Sequence, residues 1–303
     1  MQFGLDIPTS GDYADARTLA QLAAEAEQAG WDGFFIWDCL SLPAERHDDT
    51  QAFITALTTP GEQAPILLAN EPLIEPWMAL AAIAMSTQCI KIGAMVTPLS
   101  RRRPWQVARQ TVALDHLSNG RLIFAAGLGF QDVDFTPFGE KYDAKIRAER
   151  LDEGLEILNG LWSGEPFSFH GKHYQVDNVT FLPRPVQQPR IPVWTAGGWP
   201  RRKPFRRAAR WDGVYVMTYH QTENRPLTPG EVHEIVAYIQ AMRTSPVPCE
   251  VAVNGITNGN THEDSEIVRP YAEAGATWWI EYAAERETFA EYRQRILQGP
   301  PRV

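Results

Sequence analysis

Eight times along this chain, a short run of apolar residues gives way to a stretch whose apolar residues recur at helical spacing. Strands that are apolar at successive positions are buried on both faces, as in parallel sheets. A parallel strand also needs a crossover, usually a helix, to reach its neighbour. The runs cover residues 3–7, 33–38, 90–96, 122–126, 191–196, 213–217, 249–255 and 277–282. Between the first two, residues 15–29 place Leu19, Leu22, Ala23 and Ala26 on one face, and Gly30 stands where a helix C-cap belongs. Pro76 opens a helix to about Ser86 and Pro104 opens another, which Ser118-Asn119-Gly120 turns into the next strand. Residues 144–162 carry Leu151, Leu155, Leu158 and Trp162 on one stripe, and a last helix covers about 286–297. Residues 40–75 read as a loop. Residues 163–190, rich in Gly, Pro and aromatics, read as an excursion with a small hairpin around His173-Tyr174. Eight such units with no break in composition predict one domain over 1–303. Its expected fold is a (β/α)8 TIM barrel with an insertion between strands 4 and 5. An open doubly wound sheet is the alternative, because strand order is not written in a single sequence.

Composition narrows the class. With 44% hydrophobic and 21% charged residues the chain is globular, and its net charge of -9 disfavours nucleic acid and anionic membrane surfaces as partners. The N-terminus, Met1-Gln2-Phe3-Gly4-Leu5-Asp6, has no basic region, and the longest apolar stretch, residues 77–85, is too short to span a bilayer. Cys39, Cys89 and Cys249 are widely spaced and form no metal set, which suits reduced thiols in a cytoplasmic enzyme. A small molecule is the expected partner.

In a barrel of this kind, function lies where strands end. Asp6 ends the first run. Trp37, Asp38 and Cys39 follow the second, Thr97-Pro98 the third, and Gly127-Leu128-Gly129-Phe130-Gln131 the fourth. Gly197-Gly198-Trp199 follows the fifth, His220 lies past the sixth, Asn254 ends the seventh and Glu281 the eighth. Paired glycines between a strand and a helix leave backbone N–H groups open to a phosphate, with Arg201, Arg202 and Lys203 nearby; a tight turn with solvated basic residues is the bland reading. Asp38 closes an apolar strand and needs polar company; capping the next loop is its structural role. For Glu281 the structural role is an ion pair. The run Arg101-Arg102-Arg103 reads as a solvated face that would also steer an anion. No His-Glu-x-x-His, Gly-x-Ser-x-Gly or Walker loop is present. A phosphate cradle with few acid–base groups implies that a cofactor carries the chemistry.

The chain resembles the bacterial-luciferase-like family of flavin- and deazaflavin-dependent oxidoreductases. The likeness is carried by residues 92–98, by 111–122 (Thr-Val-Ala-Leu-Asp-His-Leu-Ser-Asn-Gly-Arg-Leu), by 126–129, 149–158 and 161–164, and by Arg184-Pro185-Val186-Gln187 and Ile191-Pro192-Val193-Trp194 with Gly197-Gly198. The resemblance implies reduced FMN or the deazaflavin coenzyme F420 at the C-terminal mouth, for monooxygenation or hydride transfer on a small organic substrate. It also implies a non-prolyl cis peptide in the third strand, placed at Ala94–Met95. Thr97, Gly127, Gly129 and Gln131 would line the ring and its chain, and Gly197, Gly198 and Trp199 would hold the phosphate. Trp37, Phe130, His220 and Glu281 would border the substrate, and a homodimer is the expected assembly. Many relatives carry Asp-His after strand 2; here the candidate catalytic pair is Asp38-Cys39, and a cysteine serves as a base only with a strongly lowered pKa. The deazaflavin branch is slightly favoured. A flavin-binding protein without catalysis is the rival reading. A sugar-phosphate aldolase or isomerase would need a lysine or a carboxylate pair at strand ends; no lysine is there, and Lys91 stands at the wrong end of its strand.

Overall fold

The computed structural model describes residues 1–42, 71–129, 132–218, 226–259, 261–283 and 287–301. In chain order the elements are β1 (Gln2–Ile7), α1 (Ala16–Ala29), β2 (Gly33–Ile36), α2 (Pro76–Ser86), β3 (Lys91–Ala94), β4 (Thr97–Pro98), α3 (Pro104–Leu117), β5 (Phe124–Gly127) and α4 (Ala144–Trp162). The hairpin β6 (Phe167–His170) and β7 (Gln175–Val179) follows, then β8 (Val193–Trp199), α5 (Arg202–Ala208), β9 (Gly213–Thr218), α6 (Pro229–Met242), β10 (Glu250–Gly255), α7 (Thr261–Glu273), β11 (Trp278–Tyr282) and α8 (Phe289–Gln298).

All strands but the hairpin form one parallel sheet in the order β3-β2-β1-β11-β10-β9-β8-β5-β4. Its two ends belong to one interrupted strand, because β4 continues β3 after Met95-Val96. The ring is closed at the other end of that strand: Ile92 N donates to Arg121 O at 3.1 Å, and Ile123 N donates to Ile92 O at 2.9 Å. The molecule is therefore a (β/α)8 barrel, with the hairpin inserted between its fourth and fifth strands.

Local chemistry sets the elements. Asp15 caps α1, accepting from Thr18 N at 2.7 Å, and Gly30 ends it in the left-handed conformation at φ 94°. Pro76 opens α2, and the Glu75 carboxylate accepts from Met78 N. The last helix begins at Phe289 rather than near 286, because Thr288 and Glu291 form a capping box.

Side-chain parity divides the core in two. Leu5, Ile7, Phe34, Ile36, Ile92, Ala94, Phe124, Val214 and Val216 pack between sheet and helices. Phe35, Met95, Ile123, Ala125, Trp194, Tyr215, Ala252, Trp278 and Ile280 fill the barrel. The rings of Trp194 and Trp278 meet edge to face at 5.4 Å, with Phe35 about 6 Å from each. That plug needs glycine beside it. A side-chain carbon on Gly213 would lie 2.4 Å from Trp194, and one on Gly33 would lie 2.6 Å from Phe35.

Candidate active site at the C-terminal mouth

Above the aromatic plug, the same parity decides which strand-end residues face the barrel axis. Asp6 is in register with Phe35 of β2 and Tyr282 of β11, so it projects inward. It is 8% exposed. The Tyr215 hydroxyl approaches its Oδ2 at 3.5 Å, and its Oδ1 has no partner. Burial pushes its carboxyl up to about 7, an effect that hydrogen bonds from Trp37 and Tyr215 only partly offset. Trp37, expected beside the substrate, is half-buried at this end.

Opposite stands an apolar ledge. The peptide Met95–Val96 is cis, one residue beyond the expected Ala94–Met95. Val96 packs against the interior cluster, as does Met217. A side-chain carbon on Gly127 would come within 2.6 Å of Val96 Cγ2, with the Ala196 methyl at 3.7 Å. Val96, Gly127 and Ala196 therefore form one close-packed surface.

Several expected cofactor residues face elsewhere. Ala94 belongs to the outer core, and Thr97 is paired with Ala126, also of the outer core, which leaves its buried hydroxyl without a partner on that side. Gly197 and Gly198 are not in a loop but within β8, in register with Val216 and Met217. Gly197 faces α5, where an added carbon would sit 2.9 Å from Pro204; it permits that close approach. Trp199 packs outward, with its ring 5.3 Å from Phe205 and under the Arg202 guanidinium. Gly129 adopts φ 77°, and its carbonyl accepts from the buried Arg147 of α4, a loop anchor that the sequence reading missed.

The candidate catalytic pair divides. The Asp38 carboxylate is sealed from solvent and held by Arg101 and Arg102, each with a nitrogen at 2.7 Å, while the Trp77 indole donates at 3.4 Å. Arg101 also reaches Asp134 at 2.5 Å, and Asp134 accepts from Leu40 N and Ser41 N. Arg101 and Arg102 are thus not a solvated face; Arg101 locks the segment after β2 onto the turn at 132–134, and Arg102 adds a second hold on Asp38. Cys39 lies in the wall of a cavity of about 870 Å³ that also touches Arg102, Trp105 and Phe181. Burial, with the charges of Asp134 and Asp38, pushes its thiol up to about 12, so it is no thiolate base near neutral pH.

Glu281 does not border the mouth. It lies between inward-facing Ile280 and Tyr282, turns outward, and pairs with Arg295 of α8 while accepting from Thr257 N and the Trp279 indole. Burial pushes its carboxyl up, and Arg295 opposes that shift. Phe130, Gln131 and His220 lie outside the described residues. Among the described residues, no group of three or more His, Cys, Asp or Glu is placed to hold a metal, and no helix is long and apolar enough to cross a membrane.

Comparison with known proteins agrees with this architecture. A family model described as luciferase-like monooxygenase matches residues 1–225. An F420-dependent glucose-6-phosphate dehydrogenase of Nakamurella multipartita is 31% identical over 184 residues, 60% of this chain, and the match spans about half (47%) of that relative's length. An uncharacterised Mycobacterium tuberculosis protein is 32% identical over 66% of this chain and 67% of its own. Among solved structures, the coenzyme F420 dependent tetrahydromethanopterin reductase of Methanopyrus kandleri superposes with a TM-score of 0.69 over 98% of this chain and 96% of its own, at 15% identity. The oxygenating constituent of the 3,6-diketocamphane monooxygenase of Pseudomonas putida, in complex with FMN, gives 0.67 at 13% identity, covering 98% and 96%. With the model matched over most of its length, this chain belongs to the luciferase-like monooxygenase family.

Proposed function

We propose that the protein is an oxidoreductase that binds a flavin-type cofactor across the C-terminal mouth and exchanges a hydride with a small organic substrate, with coenzyme F420 favoured over FMN. The observation that carries this reading is the ledge of Val96, Gly127 and Ala196. Gly127 leaves one face of the mouth flat, where any side chain would meet Val96 at 2.6 Å. A planar ring needs such a surface behind it, and an unpartnered polar atom, Asp6 Oδ1, waits across the mouth. The residues therefore fit the group. F420-dependent relatives at about 31% identity favour the deazaflavin.

When bound, the ring supplies the two-electron acceptor or donor. The chain's own residues do the rest. Val96, Gly127 and Ala196 fix the plane of the ring. Gly198, on the inward face of β8, leaves backbone accessible at the rim for the polar chain of the cofactor. The Trp194, Trp278 and Phe35 plug closes the barrel below and keeps water from entering along the axis. The ion pairs of Arg101 and Arg102 hold Asp38 and, next to it, the wall at Cys39. Asp38, held by two arginines, shapes the site.

Fluorescence titration of the purified protein with F420 and with FMN tests the reading. Saturable binding of F420 and none of FMN is expected; binding of neither sinks it.

A further inference from the structure

The fold gives its other deeply buried carboxylates cations or hydrogen-bond donors: Asp115 accepts from Gln187 and Asp264 from Asn258 N, while three others have arginines. Asp38 has Arg101 and Arg102, Asp134 has Arg101, and Glu281 has Arg295. Asp6 is buried to a similar degree and makes no ion pair among the described residues. Among the described residues, the titratable groups around it are Cys39 after β2, Tyr215 on β9, Tyr282 on β11 and Tyr292 on α8, and none of these is cationic. An unpartnered buried polar atom is a cost to the fold. Here the atom faces the axis of the barrel, across from the ledge that accepts the ring.

We propose that Asp6 is the proton-exchanging group of this site and that the substrate is an alcohol or the corresponding carbonyl compound. The proposal rests on the hydride-transfer reading above and names its substrate class. The step balances. The C–H bond of the carbinol carbon breaks, and its hydride, with both electrons, passes to the oxidised flavin-type cofactor. The O–H bond breaks, and its proton goes to Asp6 Oδ1, while the C–O bond becomes C=O. The alcohol is oxidised, the cofactor is reduced, and Asp6 later releases the proton to solvent.

The neighbours leave this work to Asp6. Val96, Gly127, Ala196 and Met217 carry no exchangeable proton. Burial holds Tyr215 and Tyr292 far into the protonated range and pushes the Cys39 thiol up to about 12. The Asp6 carboxyl, at about 7, both accepts and releases a proton near neutral pH, where an acid–base catalyst is most effective.

Infrared difference spectra of the cofactor-free protein, wild type minus Asp6→Asn, test the first half. A neutral-carboxyl band that fades with a midpoint near 7 is expected. In Tyr215→Phe, a second variant that leaves Asp6 in place, that midpoint should rise, because the Tyr215 hydroxyl favours the ionised carboxyl. The cofactor-loaded protein is then assayed with a panel of primary and secondary alcohols, cyclohexanol among them. Asp6→Asn should retain cofactor binding, lower kcat by at least about 100-fold and lose the limb of the pH profile near neutrality, and Asp6→Glu should restore part of it. Three results overturn the proposal alone: a carboxyl already ionised at about pH 5, an unchanged kcat and profile in Asp6→Asn, or no alcohol turned over by wild type that binds cofactor. Binding of neither F420 nor FMN by wild type overturns the functional reading and the proposal with it.

Discussion

Arg101 stands 2.7 Å from Asp38, with both side chains nearly sealed from solvent. A buried pair of this kind contributes little net stability when intact, but removing one partner strands the other charge. Arg101→Ala strands Asp134, which shares the same guanidinium, and leaves Asp38 to Arg102 alone. The expected loss is about 3–5 kcal/mol, read as a lower urea midpoint. Asp38→Asn should also destabilise, while retained cofactor affinity at low temperature would mark Asp38 as a positioning residue. An unchanged urea midpoint in Arg101→Ala would refute the lock.

Cys39 should be chemically quiet. Its thiol is pushed up to about 12, so its thiolate fraction near pH 8 is very small, whereas Cys89 is exposed and serves as an internal reference. Alkylation by iodoacetamide, followed by peptide mass spectrometry, should label Cys89 at least about tenfold faster. Cys39→Ser should leave turnover within about twofold, as expected of a wall residue and not of a base. Equal labelling rates would return Cys39 to the list of reactive groups.

The contact between Gly127 and Val96 makes the ledge testable. Gly127→Ala places a methyl 2.6 Å from Val96 Cγ2, so Val96 must shift toward the ring or β5 must move. Overpacking of this kind costs about 1–3 kcal/mol. Cofactor affinity should fall about tenfold or more, and Val96→Ala in the same chain should recover part of it. Calorimetric titration with the cofactor reads both effects. Identical affinities for Gly127→Ala and wild type would place the ring elsewhere.

How much of this was legible in the sequence follows from periodicity. Eight alternating runs were enough for the barrel, and Gly30, Pro76 and Pro104 marked helix ends because backbone conformation restricts residue choice there. Facing was not legible. In Trp278-Trp279-Ile280-Glu281-Tyr282 every position is bulky, so nothing local says that Trp278, Ile280 and Tyr282 turn inward and Glu281 outward. The same ambiguity sent Thr97 and Trp199 to the mouth, when Thr97 pairs with outward-facing Ala126 and Trp199 packs on Phe205 of the helix layer. Arg101 and Arg102 looked solvated because the carboxylates that bury them are 33 and 64 residues away in sequence. Asp6 was visible as a strand end, but its lack of a cation among the described residues is a property of the closed barrel alone. Counting parity outward from the Phe35, Trp194 and Trp278 plug would have found it.

That lack of a cation makes the stability of the protein depend on pH in a definite direction. Burial raises the folded-state pKa of Asp6 from 3.8 to about 7, so folding favours the neutral carboxyl. The associated stability is fully present below the unfolded value near 3.8 and is lost as pH rises through about 7. Between those values, this one group should lower the unfolding free energy by up to about 1.4 kcal/mol per pH unit. Asp6→Asn cannot ionise and lacks this dependence. Urea unfolding of wild type and Asp6→Asn at pH values between about 4.5 and 8 should therefore give a difference that grows in favour of the variant as pH rises, then levels off above about 7. A constant difference across that range would mean that Asp6 is ionised throughout in the folded protein, and that a cation outside the described residues satisfies it.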